Sequence, residues 1–287
     1  MQFALIGGDR RTITLARRLL QDGHELSCFA LDTAEIPTVC KQRRLQEALA
    51  GAQYVILPTP LLKGGKLNAP FSAVELDLET LVLALPESAG VFAGGVPEKL
   101  RRLFRAQHLR LIDLLDNEAL AVTNAELTAQ CALELLLSAI PYRLQTCRVL
   151  LLGAGRIGKL LGLKLRNMGA EVTCAARSPV QRAWCSALGL RPVPLTGLAG
   201  ILWQTDILIN TSPAPILESG ELQLLPEGAL VLDLASAPGG FRPEDLDLLQ
   251  LDTLPGGGLP GKYAPEAAGN ALADAINEEL GGTIHEA

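Results

Sequence analysis

Apolar positions in this chain follow two rhythms. The runs Phe3-Ala4-Leu5-Ile6 and Val149-Leu150-Leu151-Leu152 each lead into a glycine, then into apolar residues at helical spacing: Leu15, Leu19 and Leu20 after the first, Leu160, Leu161 and Leu165 after the second. A strand buried on both faces reads as a continuous apolar run, and an amphipathic helix as a repeat of three to four residues. Each segment therefore predicts strand, turn and helix. Gly23 and Gly169 stand where a helix C-terminus favours positive φ, and a second strand pattern follows each. Sliding the sequence on itself by 146 residues superimposes Gly7 on Gly153, Leu15 on Leu161, Gly23 on Gly169, Cys28 on Cys174 and Ala30 on Ala176. Two parallel βαβ entries predict an α/β protein of two Rossmann-like parallel-sheet domains.

The rest of the pattern completes those domains. Strands are expected at 53–57, near Val91 and near Leu111, then at 206–210, 230–234 and 251–254. Asn124 is expected to cap a long apolar helix over 125–140, closed by Pro141, that joins the two domains. The expected boundaries are 1–123 and 124–263, with a cleft between the domains. By analogy with two-domain dehydrogenases, a last helix from about 264 is expected to return to the first domain. A length of 287 residues suits two domains.

Composition narrows the function. With 48% apolar and 20% charged residues the chain is globular, not disordered. A net charge of −6 and only 2 Trp, 3 Tyr and 6 Phe argue against a nucleic-acid binder, which needs a basic face and stacking rings. No apolar stretch is long enough to span a membrane, and without an export signal the expected compartment is the cytosol. Six cysteines without a C-x-x-C pair and three histidines give no zinc spacing, so reduced, buried thiols and no metal are expected.

Gly153-Ala154-Gly155-Arg156-Ile157-Gly158 is G-x-G-x-x-G between a strand and a helix. In that context Gly153 permits the tight turn, Gly155 lets backbone approach a pyrophosphate, and Gly158 allows close packing. The helix N-terminus supplies N–H groups and positive dipole. An NAD site places an acid at the end of the next strand, whereas here Ala176-Arg177-Ser178 offers a guanidinium and a hydroxyl for a 2′-phosphate, so NADP is expected. In the first copy Asp9 replaces Gly155 and Thr12 replaces Gly158, so no dinucleotide is expected there. Arg10 and Arg11, with Lys63 and Lys66 on another loop, suit a small carboxylate.

Ligands of open parallel sheets bind beyond the carboxyl ends of the strands. Thr211, Ser212 and the glycine run including Gly257 are expected to flank a nicotinamide, with Arg11, Thr59, Asn124, Thr128 and Ser236 toward the substrate. No histidine stands where an acid–base group is needed, leaving Lys262 and Asp9 as candidates for proton transfer or carboxylate binding.

Several stretches together resemble the family of dipicolinate synthase A-subunits of spore-forming bacteria. They are Ile6-Gly7-Gly8-Asp9, Ile56-Leu57-Pro58, the glycine fingerprint with Ala176-Arg177-Ser178, Ile209-Asn210-Thr211, the 233–240 segment beginning Asp233-Leu234-Ala235 and the 258–265 segment containing Gly261-Lys262-Tyr263. The resemblance implies NADP⁺-dependent oxidation of a dihydrodipicolinate-type lysine-pathway intermediate to dipicolinate in the mother cell during sporulation. It also implies a partner, a flavoprotein-like B-subunit, in a homo- or hetero-oligomer. One departure concerns the connecting helix: where the family pattern carries an acid after Pro-Thr-x, this chain has Gln130, which cannot act as a base, while Glu126 lies one turn away. Two other readings stay open: a different 2-hydroxy or amino acid dehydrogenase active without a partner, and a nucleotide-binding scaffold that transfers no hydride. If Lys262 takes part in the chemistry, Lys262→Met lowers turnover or raises the substrate KM in steady-state kinetics; both constants unchanged would remove it.

Overall fold

The computed structural model describes residues 1–235 and 239–285. Two compact units divide the chain: Met1–Asn124 with the segment from Ala264, and Ala125–Tyr263.

In the first unit β1 (Gln2–Ile6), α1 (Arg10–Gln21), β2 (Glu25–Phe29), α2 (Leu45–Leu49) and β3 (Tyr54–Ile56) lead to a short antiparallel hairpin, β4 (Leu62–Lys63) and β5 (Lys66–Leu67). Then follow α3 (Leu78–Ala84), β6 (Gly90–Ala93), α4 (Glu98–Ala106) and β7 (Arg110–Asp113), and α5 (Glu118–Ala139) begins here and runs past Asn124 into the second unit. The parallel sheet has order β2-β1-β3-β6-β7. Counting only its own strands, this is the flavodoxin-like order 2-1-3-4-5, with its topological switch between β1 and β3. The first unit is thus a parallel-sheet domain, as the repeat implies, in the shorter of the two common doubly wound orders.

Both faces of this sheet are buried, which is why its strands read as apolar runs. Phe3 and Leu5 pack with Leu15 and Leu19 of α1 and with Leu272, Ile276 and Leu280 of a final helix, α12 (Pro265–His285). Ala4 and Ile6 face the other way, among Val55, Leu57, Leu81 and Phe104. Helix α12 lies so close to α1 that a Cβ at Gly269 would come 2.6 Å from the Arg11 carbonyl oxygen.

The second unit contains β8 (Arg148–Leu152), α6 (Arg156–Asn167), β9 (Glu171–Ala175), α7 (Pro179–Ala187), β10 (Arg191–Val193), α8 (Ala199–Leu202) and β11 (Ile207–Asn210). It continues through α9 (Ser219–Leu222), β12 (Leu230–Asp233), α10 (Pro243–Leu248), β13 (Asp252–Pro255) and α11 (Leu259–Tyr263). The order β10-β9-β8-β11-β12-β13 is the Rossmann order 3-2-1-4-5-6, with its switch between β8 and β11.

The 146-residue repeat reappears bond for bond. Gly7 N–H donates to the Phe29 carbonyl and Gly153 N–H to the Ala175 carbonyl, each at 2.9 Å. His24 N–H reaches Leu19 and Ala170 N–H reaches Leu165 in the same way, at 3.0 and 3.1 Å. Gly23 and Gly169 take φ of 80° and 96° at the two helix ends.

One expectation needs correction. Asn124 does not cap α5; the helix begins at Glu118, and Asn117 Oδ1 accepts the Leu120 N–H at 2.9 Å. The intervening Glu118-Ala119-Leu120-Ala121 favours helix, so the first available capping side chain two turns earlier starts it, and Asn124 sits in its interior.

Close packing at the α6 entry makes a direct stability prediction. A Cβ at Gly158 would collide with the Gly153 carbonyl oxygen, which is backbone and cannot swing aside. Gly158→Ala is expected to cost about 3 kcal/mol in denaturant unfolding, whereas an unchanged midpoint would show that the helix shifts freely.

Candidate functional site

At the β8–α6 turn, Gly153 has φ +100° and its missing side chain leaves room for the Thr211 hydroxyl, which would lie 2.7 Å from a Cβ. That hydroxyl donates to the Leu152 carbonyl at 3.0 Å and to the Gly153 carbonyl at 3.3 Å, pinning the two sides of the switch point together. Gly155 is the N-terminal flanking residue of α6, and a Cβ there would meet nothing within 4 Å. Its lack of a side chain is not needed for packing within the described residues. The open space lies at the positive end of a twelve-residue helix, where an anion is stabilised. Arg156 and Ile157 form the first turn of that helix.

Arg177 and Ser178 follow β9. Arg177 is exposed, and its guanidinium makes no hydrogen bond or ion pair among the described residues. Ser178 caps α7, its Oγ accepting the Val180 N–H at 3.2 Å while Gln181 closes a capping box. The loop is braced by Arg182, absent from the sequence expectations, whose Nη1 donates to the Ala176 and Arg177 carbonyls at 3.0 and 2.7 Å.

On the far side of the switch point, sequence reasoning missed a buried polar lock. Asn210 is 1% exposed, and its Nδ2 donates to Asp233 Oδ1 at 2.8 Å and to the Ser212 carbonyl at 2.9 Å. Its Oδ1 accepts the Ser212 N–H, and Asp233 accepts the N–H groups of Ala235 and Gly240. Ser212 itself is half-buried, its hydroxyl turned back to the Ala214 carbonyl. A Cβ at Gly240 would strike Asn210, which explains that glycine. The signal was present in Asn210 and Asp233 ending adjacent strands, but only the strand order makes them neighbours. Gly257 is exposed with open space around it, and Lys262 is an exposed residue of α11. Ser236 lies outside the described residues.

In the first unit the corresponding helix entry is filled by the protein itself. Asp9 has the same extended conformation as Gly155, with ψ of −161° against −165°. Its carboxylate accepts the Arg11 N–H at 3.1 Å and Arg11 Nε and Nη2 at 2.9 and 2.6 Å. Burial alone would raise the Asp9 carboxyl, but the hydrogen bonds and charge of Arg11, helped by Asn68, outweigh it and hold it below its ordinary value. Two sequence expectations change as a result. Asp9 is held ionised and is a poor proton acceptor, and Arg11, 8% exposed, commits two of its five guanidinium donors to Asp9. Arg10, at the start of α1, and Lys63, in β4, are exposed cations without an ion pair among the described residues. Thr12 fits because Gly8 has no side chain to meet it. Thr59 is buried, beside the cis Thr59–Pro60 bond.

The α5 residues divide. Asn124 and Thr128 are half-buried, and Gln130 is exposed. Glu126 accepts Lys164 Nζ at 2.9 Å, so the acid one turn from Gln130 is engaged by α6. All six cysteines are buried free thiols, and no helix of the described residues is long and apolar enough to cross a membrane.

A Rossmann-ordered unit with an open glycine entry, preceded by a flavodoxin-ordered unit whose entry is closed by a carboxylate, defines a two-unit α/β protein of dehydrogenase-like fold. Residues 2–115 match the family model described as the N-terminal domain of the dipicolinate synthase A-subunit. The chain is 28% identical to the dipicolinate synthase A-subunit of Bacillus subtilis (strain 168), over 98% of this chain and 96% of that protein. The crystal structure of the dipicolinate synthase A-subunit from Bacillus halodurans is similar over 97% of both chains, with 26% identity and a TM-score of 0.87. A transhydrogenase from Sinorhizobium meliloti shares the fold at 16% identity and a TM-score of 0.69. Along its whole length the chain is similar to dipicolinate synthase A-subunits.

Because the Asp9 carboxyl is lowered in the folded state, its stabilising contribution is complete above the ordinary carboxylate range and is lost as pH falls through the lowered value. Arg11→Met is expected to reduce stability at neutral pH by about 2 kcal/mol and to shrink this acid-induced loss, because burial, which raises the carboxyl, is then less opposed. Denaturant unfolding across the acid range checks it, and an unshifted pH profile would mean the pair does not hold Asp9 ionised.

Proposed function

We propose that the chain is the NADP-dependent oxidoreductase component that converts a dihydrodipicolinate-type intermediate to dipicolinate, acting with a flavoprotein-like B-subunit. In this reading the second unit holds the nucleotide and the first holds the dicarboxylate. The observation that carries it is the pairing of an open glycine entry at Gly155 with an exposed Arg177, unpaired among the described residues, after the next strand. The likeness to dipicolinate synthase A-subunits suggests the substrate.

The residues present fit the nucleotide. The free N–H groups at the start of α6 suit a pyrophosphate, and the missing side chain at Gly155 removes the obstacle to its approach. Arg177 offers a charge-assisted bond to a 2′-phosphate, and the Ser178 hydroxyl can donate beside it while its oxygen caps α7. Arg182 keeps the peptide groups of 176 and 177 in place. Thr211, Ser212 and Gly257 border the nicotinamide end, and the Asn210–Asp233 lock fixes the backbone there. Bound NADP⁺ supplies a hydride acceptor; a hydride and a proton leave the ring, and aromatisation drives the reaction forward.

The first unit supplies charge and shape. Arg10 and Lys63 are the cations available to carboxylates, Arg11 contributes through the group left outside its pair with Asp9, and Thr59 lines the turn after β3. Asn124, Thr128 and Ser236 remain proposed substrate contacts. Lys262 is the proposed proton-transfer or carboxylate-binding group, because Asp9 is held ionised by Arg11.

Two variants test the assignment. Arg177→Asp is expected to weaken NADP⁺ binding by about 10- to 100-fold while sparing NAD⁺, an unchanged preference being the contrary result. Gly155→Val is expected to leave the thermal midpoint intact and remove binding of both nucleotides, measured by calorimetry; retained binding would contradict the cradle. Formation of reduced nicotinamide from the intermediate, with and without the B-subunit, tests the reaction and the partner together.

A further inference from the structure

Asn68 stands at the β1/β3 switch point of the first unit, just after the β4–β5 hairpin, and is 3% exposed. Its backbone is held at both ends, the N–H donating to the Leu61 carbonyl at 2.9 Å and the carbonyl accepting the Gly8 N–H at 2.8 Å. Its side-chain Nδ2 faces two acceptors, the Pro60 carbonyl at 3.3 Å and Asp9 Oδ2 at 3.5 Å. Turning the amide over would set an oxygen against both, so the orientation is fixed by chemistry. Oδ1 is therefore committed to the remaining direction. There it is a buried acceptor with no donor among the described residues. Buried acceptors in proteins are almost always met, and an unmet one costs free energy.

The surroundings point to a ligand. Ligands of doubly wound sheets bind at the switch point, beyond the strand ends. Thr12 and Thr59, each 8% exposed, flank the same two turns with hydroxyls that make no hydrogen bond among the described residues. Arg10 at the start of α1 and Lys63 in β4 are exposed and make no ion pair among the described residues. Asp9, already paired, adds no free charge of its own.

We propose that Asn68 is a specificity-determining residue, whose Oδ1 accepts a hydrogen bond from an N–H or O–H that the non-aromatic ring of a cyclic dicarboxylate carries and the aromatic product lacks. This rests on the substrate class proposed above. The product's ring nitrogen is itself an acceptor and its ring carries no hydroxyl, so loss of the N–H on oxidation, or departure of the hydroxyl as water, removes the partner of Oδ1 and favours release.

Calorimetric titration of the full chain with three compounds tests this: pyridine-2,6-dicarboxylate, piperidine-2,6-dicarboxylate and 4-hydroxypiperidine-2,6-dicarboxylate. At least one of the saturated compounds is expected to bind about tenfold more tightly than the pyridine. Gain with both identifies the ring N–H as the donor, and gain with the hydroxylated compound alone identifies the O–H. The advantage is expected to vanish in Asn68→Leu, with Asn68→Ala as a second variant if the first does not fold. Equal binding of all three by the unaltered chain, or an advantage that survives in a folded variant, overturns the role of Asn68. Failure of all three to bind would instead count against the substrate class, and this role would fall with it.

Discussion

A helix that begins immediately after a buried strand brings several unbonded N–H groups and the positive end of its dipole to the end of a sheet, and something negative must answer them. The two units of this chain answer differently at one backbone position. In the first, the Asp9 carboxylate caps α1 and is held ionised by Arg11. In the second, Gly155 gives α6 no side chain at all, and the space beside it is open. The same strand–turn–helix frame is thus self-satisfied in one copy and left for a ligand in the other. The division of labour proposed for the units rests on that difference.

Neighbouring residues change in step with it. Where the second unit has Ala154 and Gly158, the first has Gly8 and Thr12, and the glycine has moved to the position that makes room for the larger residue. Each turn is therefore packed, but only the second keeps its helix end clear. Beyond the turn, long-range polar contacts hold each switch point: Asn210 with Asp233 in the second unit, Asn68 with Asp9 and Pro60 in the first. Both asparagines are buried, yet only Asn68 retains an unmet acceptor.

What could be read in the sequence was what is local. Apolar runs, helical spacing and glycines at positive φ depend on near neighbours, so the repeat, both βαβ entries and the cradle were visible in the order of residues. The start of α5 was misplaced because two asparagines seven residues apart both resemble caps, and only the hydrogen bond from Leu120 to Asn117 distinguishes them. The strand Arg191–Val193, short and containing Pro192, gave no periodic signal at the sheet edge. Strand order, the Asn210–Asp233 lock and the bracing by Arg182 depend on pairings that spacing does not encode. Asp9 was visible as an obstacle to phosphate, but its pairing with Arg11, and hence its unsuitability as a base, emerges only in the folded chain.

The central claim is that one helix entry is open to a nucleotide and the other is closed by the chain's own carboxylate. The stoichiometry of NADP⁺ binding to the purified full chain, measured by isothermal titration calorimetry, tests it most directly. One nucleotide per chain is the predicted result. Two per chain would show that Asp9 does not close the first entry, and none would show that the glycine entry of the second is not a nucleotide site.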